Sequence, residues 1–172
     1  MRYSGWRYGH GAGATMLSAA VLSVSVAMLP GVAIGATIRL ETSMAASVAD
    51  VWAAVRDVGA VSTCLAPGFV VDTHLEGDVR AVTFANGTTV RERIVSIDDR
   101  LHRLGYSVLD GLPAFHFASI EVVPDRRGCK LIWTTDVLPD SVEPRIRSLM
   151  EQGLAAMKST MEAAAGKTRT HR

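Results

Sequence analysis

This sequence has few cysteines, no excess of charge of either sign and no recognisable catalytic motif. Its two cysteines, Cys64 and Cys129, belong to neither a Cys-x-x-Cys pair nor a cysteine–histidine spacing that binds zinc. One pair of thiols in a domain of this size does not make a disulfide scaffold either, and both residues are expected to be small, apolar and buried. The chain has 18 basic and 17 acidic side chains, so it lacks the basic surface that binding to nucleic acid requires.

Motifs for enzymatic chemistry are also missing. There is no Ser–His–Asp or Cys–His pattern with supporting context, no glycine-rich phosphate loop after a strand and no cofactor fingerprint. The sequence therefore predicts neither a cofactor nor a metal. No internal repeat or low-complexity linker divides the 172 residues, so one folded domain is expected.

The first 36 residues differ from the rest of the chain. They contain Arg2 and Arg7 and no acidic residue, followed by an apolar run from Met16 to Leu29 and a stretch of small residues. This order is typical of a secretory signal peptide cleaved near Gly35 or Ala36, and it predicts export to the periplasm, the cell envelope or the medium. An uncleaved membrane anchor is the alternative, because the apolar run and its exit are just long enough to cross a bilayer. The expected division into signal segment, folded domain and basic tail is 1–36, 37–166 and 167–172.

Alternating apolar residues between turn sequences predict seven strands. Asn86-Gly87, between the third and fourth strands, is a strong hairpin signal. Strands joined by consecutive hairpins imply an antiparallel sheet. The predicted strands are residues 37–43, 69–75, 79–85, 88–97, 103–109, 115–123 and 131–137.

Helical patterns occur in three places. Ser47, with Asp50 three residues later, predicts a capped helix after the first strand, and residues 60–66 predict a second short one. A long amphipathic helix is expected between an N-cap at Asp140 and an end at Gly166, with apolar residues every three or four positions. A curved sheet around one such helix leaves a space between them that suits a ligand.

Several segments resemble the SRPBCC (START/Bet v 1-like) superfamily, and within it the bacterial polyketide cyclase/dehydrase and lipid-transport group. The resemblance covers residues 37 to about 165 and is carried by the long last helix together with Ala45–Val55, Gly87–Asp98, Arg103–Val108 and Leu131–Thr134. It implies the α+β helix-grip fold, a curved seven-stranded antiparallel sheet around a long C-terminal helix, with two short helices after strand 1. It also implies a hydrophobic cavity, but it supplies no catalytic residue. The iron-ligand arrangement of the oxygenase members is not evident.

Strand alternation indicates which polar side chains face the long helix. Glu92, Tyr106 and His116 each lie two positions from apolar residues that must be buried for the sheet to pack. A carboxylate, a phenol and an imidazole are thus expected on the concave face, with an indole as wall and helical methionines as floor. The candidate ligand-binding residues are Glu92, Tyr106, His116, Trp133, Met150 and Met157.

Three functions remain open from the sequence. The first is binding or transport of a small hydrophobic ligand, lipid-like or polyketide-like, in the internal cavity. The second is a cyclase or dehydratase that acts on a polyketide-like substrate through Glu92 or His116, since buried carboxyl and imidazole groups can act as acid–base catalysts. The third is a partner-binding module with a filled core, in which these polar groups satisfy one another or the backbone.

Overall fold

Seven antiparallel strands form one sheet in the computed structural model, which describes residues 34–111 and 113–170, with side chains to residue 167. Apart from its last residues, the predicted signal segment lies outside this range. The strands are β1 Ala36–Met44, β2 Val70–Glu76, β3 Val79–Phe84, β4 Thr89–Asp98, β5 Arg103–Val108, β6 Phe115–Asp125 and β7 Gly128–Leu138. Their order in the sheet is β1-β7-β6-β5-β4-β3-β2, so the first strand pairs with the last and every other pair is a hairpin.

The hairpin between β3 and β4 sets the register of the cavity wall. The sequence predicted a two-residue loop, Asn86-Gly87, between these strands. The observed loop has three residues, 85–87, and is closed by a 2.9 Å hydrogen bond from Phe84 N to Thr88 O. Gly87 has φ +82°, the left-handed conformation that a three-residue hairpin loop requires. The extra residue shifts the pairing by one position, which places Arg80 opposite Glu92 rather than opposite Arg93.

The two short helical segments after β1 are confirmed. Helix α1 spans Val48–Arg56, and Asp50 N donates to the Ser47 side chain at its N-cap. A π-helical turn, Val61–Leu65, follows. Cys64 lies in this turn and is exposed, contrary to the prediction, because Val61 and Leu65 occupy the side that faces the core. Cys129 is buried as expected, and both thiols are free.

The long helix α2 spans Glu143–Thr170 and is preceded by a 3₁₀ turn, Asp140–Val142. The predicted N-cap at Asp140 is therefore wrong, because Asp140 begins the 3₁₀ turn and the α-helix starts at Glu143; Pro139 caps the turn without a side-chain hydrogen bond. The predicted end at Gly166 is also wrong, since the helix continues into the basic tail. One glycine costs a helix only about 1 kcal/mol, which does not terminate it where good helix formers surround it. No helix in the described ranges is long and apolar enough to span a membrane.

The core lies between the concave face of the sheet and one face of α2. Fully buried strand residues such as Leu104, Ile120 and Leu131 share this face. The helix contributes Leu154 and Met161 to the same cluster, and the first short helix contributes further apolar residues, including a tryptophan that is nearly buried. This arrangement confirms the α+β helix-grip architecture: a curved sheet around a long C-terminal helix.

Candidate ligand-binding cavity

A cavity of about 840 Å³ lies between the sheet and the N-terminal half of α2. Its volume is within the roughly 300–1,000 Å³ typical of small-molecule sites, and most of its lining is apolar. Exposed lining residues such as Asn86, Gly111 and Arg145 mark its opening to solvent. The structure brings all six candidate residues into its wall; they are Glu92, Tyr106, His116, Trp133, Met150 and Met157. Their role in ligand binding remains a prediction.

Gly153 determines how closely α2 approaches the sheet. A Cβ atom at this position would lie 2.9 Å from Cζ3 of Trp133 and 3.1 Å from Cε1 of Phe69. The absence of a side chain therefore lets the middle of the helix rest on two aromatic rings. One and two turns earlier, Leu149 and Ile146 are only half-buried and line the cavity. The middle of the helix thus closes one end of the cavity, and its N-terminal turns form one wall of the remaining space.

A buried ion pair occupies the wall formed by β3 and β4. Nε of Arg80 donates to Oε2 of Glu92 at 2.7 Å, and both side chains are almost completely buried. The sequence analysis did not include Arg80 among the candidates. Arg80 lies two and four positions before Val82 and Phe84 on β3, so its side chain points to the same inward face as theirs. This phase, combined with the hairpin register, was the signal that could have identified it. The Glu92 carboxylate, which was expected to face a ligand, is therefore already paired with the Arg80 guanidinium.

Tyr106 lies at the centre of the polar groups. Cζ of Arg80 is 5.0 Å from its ring centroid, and the His116 ring centroid is 5.9 Å away on the other side. Burial, with the nearby charge of Glu92 as a second cause, raises the pKa of the Tyr106 phenol, so it remains protonated at neutral pH. The indole N–H of Trp133 points toward the phenol oxygen without reaching hydrogen-bond geometry.

His116 is held as a neutral imidazole. Burial lowers its pKa, and the charge of Glu92 only partly opposes this. The backbone N–H of Val108 donates to Nδ1 over 3.4 Å, which assigns the ring proton of the neutral form to Nε2. Nε2–H is therefore the hydrogen-bond donor that this residue can offer.

Three buried polar atoms of the cavity wall have no hydrogen-bond partner among the described residues. They are Nη1 of Arg80, Nε1 of Trp133 and Oγ1 of Thr135. Thr135 was not predicted, although it lies two positions from both Trp133 and Val137 on the inward phase of β7. Buried polar groups are almost always paired, so these three atoms are exceptions within the described part of the chain. Within the described ranges no group of three or more His, Cys, Asp or Glu residues could hold a metal ion.

Sequence comparison identifies one family. Residues 36–162 match the family described as polyketide cyclase/dehydrase and lipid transport. No curated protein matches the sequence.

Solved structures share the fold at low sequence identity. A crystal structure of an uncharacterised protein from Bacillus thuringiensis has a TM-score of 0.63 and 19% identity, over 74% of this chain and 98% of that one. A norcoclaurine synthase point mutant from Thalictrum flavum, in complex with a transition-state analogue, has a TM-score of 0.63 and 22% identity, over 79% and 97% of the two chains. The solution structure of a protein from Thermobifida fusca has a TM-score of 0.58 and 30% identity, over 74% and 90%.

Proposed function

The chain belongs to the polyketide cyclase/dehydrase and lipid-transport family of the SRPBCC (START/Bet v 1-like) superfamily, and we propose that it binds or carries a small hydrophobic molecule. The ligand is lipid-like or polyketide-like and occupies the cavity between the sheet and α2. The observation that carries the proposal is the size and apolar lining of that cavity.

Burial of apolar surface in such a cavity contributes favourably to the free energy of binding. Transfer of apolar surface from water stabilises a complex by about 25 cal/mol per Å². A ligand that buries roughly 300 Å² of apolar surface would thus gain about 7.5 kcal/mol before the entropic cost of association. Apolar contact supplies the affinity, and the few buried polar groups orient the ligand.

A cyclase or dehydratase acting on a polyketide-like substrate is the alternative. The neutral imidazole of His116, next to Tyr106, favours it, because an imidazole can accept and return a proton near neutral pH. Glu92 is less suited to act as a base, since Arg80 binds its carboxylate. The enzymatic candidate therefore depends on His116.

Binding can be measured by titration with N-phenyl-1-naphthylamine, a neutral apolar probe that fluoresces in dry environments. Leu149 lines the cavity and is half-buried, so Leu149→Trp places an indole ring in the cavity, reduces its volume and should weaken probe binding. Leu101 is exposed and outside the cavity wall, so Leu101→Trp is the matched control and should bind like the natural protein. Circular dichroism verifies that both variants fold. No saturable binding, or equal binding by all three proteins, would contradict the proposal.

His116→Ala separates the carrier from the enzyme. If the protein is a cyclase, the natural chain consumes a poly-β-ketone thioester and His116→Ala does not, while the affinity for N-phenyl-1-naphthylamine changes less than about threefold. If it is a carrier, neither protein consumes the thioester. Native mass spectrometry of the purified protein adds a direct test, because a carrier is expected to retain a co-purifying ligand.

We also propose that the protein is exported. The proposal rests on the N-terminal sequence alone, where Arg2 and Arg7 precede an apolar run with a small-residue exit. Export would place the cavity in the periplasm, the cell envelope or the medium.

A further inference from the structure

His116 places a group that can change its charge near neutral pH in the wall of the cavity. Its side chain lines the cavity from β6 and is buried, with 8% of the residue exposed. The other two histidines in the described part of the chain, His74 and His102, lie outside the cavity wall. An unperturbed histidine titrates at about pH 6.5. A fall in pH can therefore introduce a positive charge into this mostly apolar space.

The hydrogen bond to the His116 ring suits only the neutral imidazole. The backbone N–H of Val108 points at Nδ1, which accepts it over 3.4 Å. In the imidazolium form both ring nitrogens carry protons, so Nδ1 would present a donor to a donor. Protonation therefore breaks this contact, and the charged ring needs acceptors from elsewhere.

The charged groups around His116 do not supply a free counter-charge. Glu92 on β4 is near enough for its charge to act on His116, but Arg80 on β3 already binds its carboxylate at 2.7 Å. The neighbour on β5, Tyr106, is an uncharged phenol, with its ring centroid 5.9 Å from that of His116. The remaining charged lining residues are opposite in sign and exposed at the rim; they are Asp110 of the loop after β5 and Arg145 of α2. A protonated His116 would thus give this wall a net positive charge.

An apolar ligand and a proton on His116 should therefore exclude each other. The empty cavity opens to solvent, so water can enter and solvate an imidazolium ring. A ligand that fills the cavity displaces this water and would leave the charge in apolar surroundings, which is costly. Because coupling between two binding events is reciprocal, a proton must weaken ligand binding by the same factor by which the ligand weakens proton binding.

We propose that His116 makes ligand retention depend on pH: the cavity holds an apolar ligand while the imidazole is neutral and releases it when the imidazole is protonated. The inference rests on the proposed function and adds a regulation of the same cavity. Burial already lowers the pKa of His116 in the empty protein. Retention is therefore expected at neutral pH, and release in the acidic range below about pH 6.5.

Titration with N-phenyl-1-naphthylamine measures this coupling, because the probe has no group that titrates between about pH 5 and 8. The natural protein should bind it with constant affinity near neutral pH and more weakly toward pH 5, by at most about tenfold per pH unit, the limit for one proton. His116→Gln keeps a polar side chain that does not titrate, so its affinity should be nearly independent of pH. His74→Gln makes the same change at an exposed position outside the cavity wall and should keep the natural pH dependence. Circular dichroism at each pH verifies that all three proteins remain folded, and His116→Asn replaces His116→Gln if the latter does not fold.

Nuclear magnetic resonance of the natural protein gives the reciprocal measurement. The ring signals of His116 are identified by their loss in the His116 variant. They should titrate at a lower pH when the cavity is saturated with N-phenyl-1-naphthylamine than when it is empty, whereas those of His74 should titrate alike in both states. The decrease in the pKa of His116 should equal the logarithm of the full loss of affinity.

The outcomes separate this inference from the proposed function. If N-phenyl-1-naphthylamine binds at no pH, hydrophobic ligand binding itself fails. If it binds at neutral pH, any one of three results overturns the pH switch alone. These are an affinity that stays constant down to pH 5, the same pH dependence in the His116 variant as in the natural protein, and a pKa of His116 that the probe leaves unchanged.

Discussion

Removing one member of the Arg80–Glu92 pair should destabilise the protein far more than breaking a surface ion pair. Their side chains are only 6% and 9% exposed, so water screens neither charge. Glu92→Gln preserves the shape of the side chain but leaves the guanidinium buried without a counter-charge. Breaking a buried pair in this way costs about 3–5 kcal/mol of unfolding free energy, a large fraction of the roughly 5–15 kcal/mol that a domain has.

Two further variants show that the loss comes from the unpaired charge. Replacing both partners, in Arg80→Met with Glu92→Leu, removes both desolvation penalties and should restore stability to within about 1 kcal/mol of the natural protein. Asp110→Asn breaks the pair between Arg91 and Asp110, whose side chains are 58% and 55% exposed. Solvent screening limits that loss to about 1 kcal/mol or less.

Urea denaturation followed by circular dichroism gives the unfolding free energy of each variant from the midpoint and slope. The predicted order of stability is natural protein, Asp110→Asn and the double variant close together, with Glu92→Gln well below them. If Glu92→Gln is no less stable than Asp110→Asn, or if the double variant is as unstable as Glu92→Gln, the claim of a buried and coupled pair is refuted.

Three other measurements test separate parts of the structure. Burial lowers the pKa of His116, so as the pH falls the unfolded chain binds a proton at this residue before the folded one does, and the unfolding free energy should decrease below about pH 6.5. In urea unfolding between pH 7 and 5, the unfolding free energy of His116→Gln should depend less on pH than that of the natural protein. The same pH dependence in both proteins would contradict this. Gly153→Ala places a Cβ against Trp133 and should destabilise by about 1–3 kcal/mol despite its better helix propensity, whereas Gly166→Ala, where a Cβ meets nothing within 4 Å, should stabilise by up to about 1 kcal/mol; equal effects in thermal unfolding would refute the close approach of α2. N-terminal sequencing of the protein recovered outside the cytoplasm should begin near Ala36, and a sequence beginning at Met1 would rule out cleavage.

The strands were predictable because their signals are local. Apolar alternation and turn residues identify all seven, and each observed end lies within three residues of the predicted one. The largest difference is the start of β7 at Gly128, because the hairpin before it uses only Arg126 and Arg127. The predicted inward phases of β4, β5 and β6 were correct as well, which is why Glu92, Tyr106 and His116 line the cavity as expected.

The partners of those residues depend on contacts between strands and could not be predicted from one strand at a time. Whether Arg80 faces Glu92 or Arg93 depends on one residue of hairpin loop, since a shift of one position exchanges the opposite neighbours. A charged residue on an otherwise apolar phase also suggests a solvent-facing strand until its counter-charge is known. Thr135 was missed because a threonine fits either face of a strand and its phase alone says nothing about hydrogen bonding.

The sheet and the helix contribute different kinds of side chain to the cavity. The polar groups, from Arg80 through Tyr106 to Thr135, all lie on hydrogen-bonded strands, where backbone pairing on both sides fixes their positions. The opposite wall comes from α2, whose Met150 and Met157 are unbranched and flexible and so adapt to apolar bodies of different shape. If the cavity binds a ligand as proposed, substitutions on α2 should mainly alter the size of ligand that fits, whereas substitutions of the polar side chains on the sheet should mainly alter stability and ligand orientation.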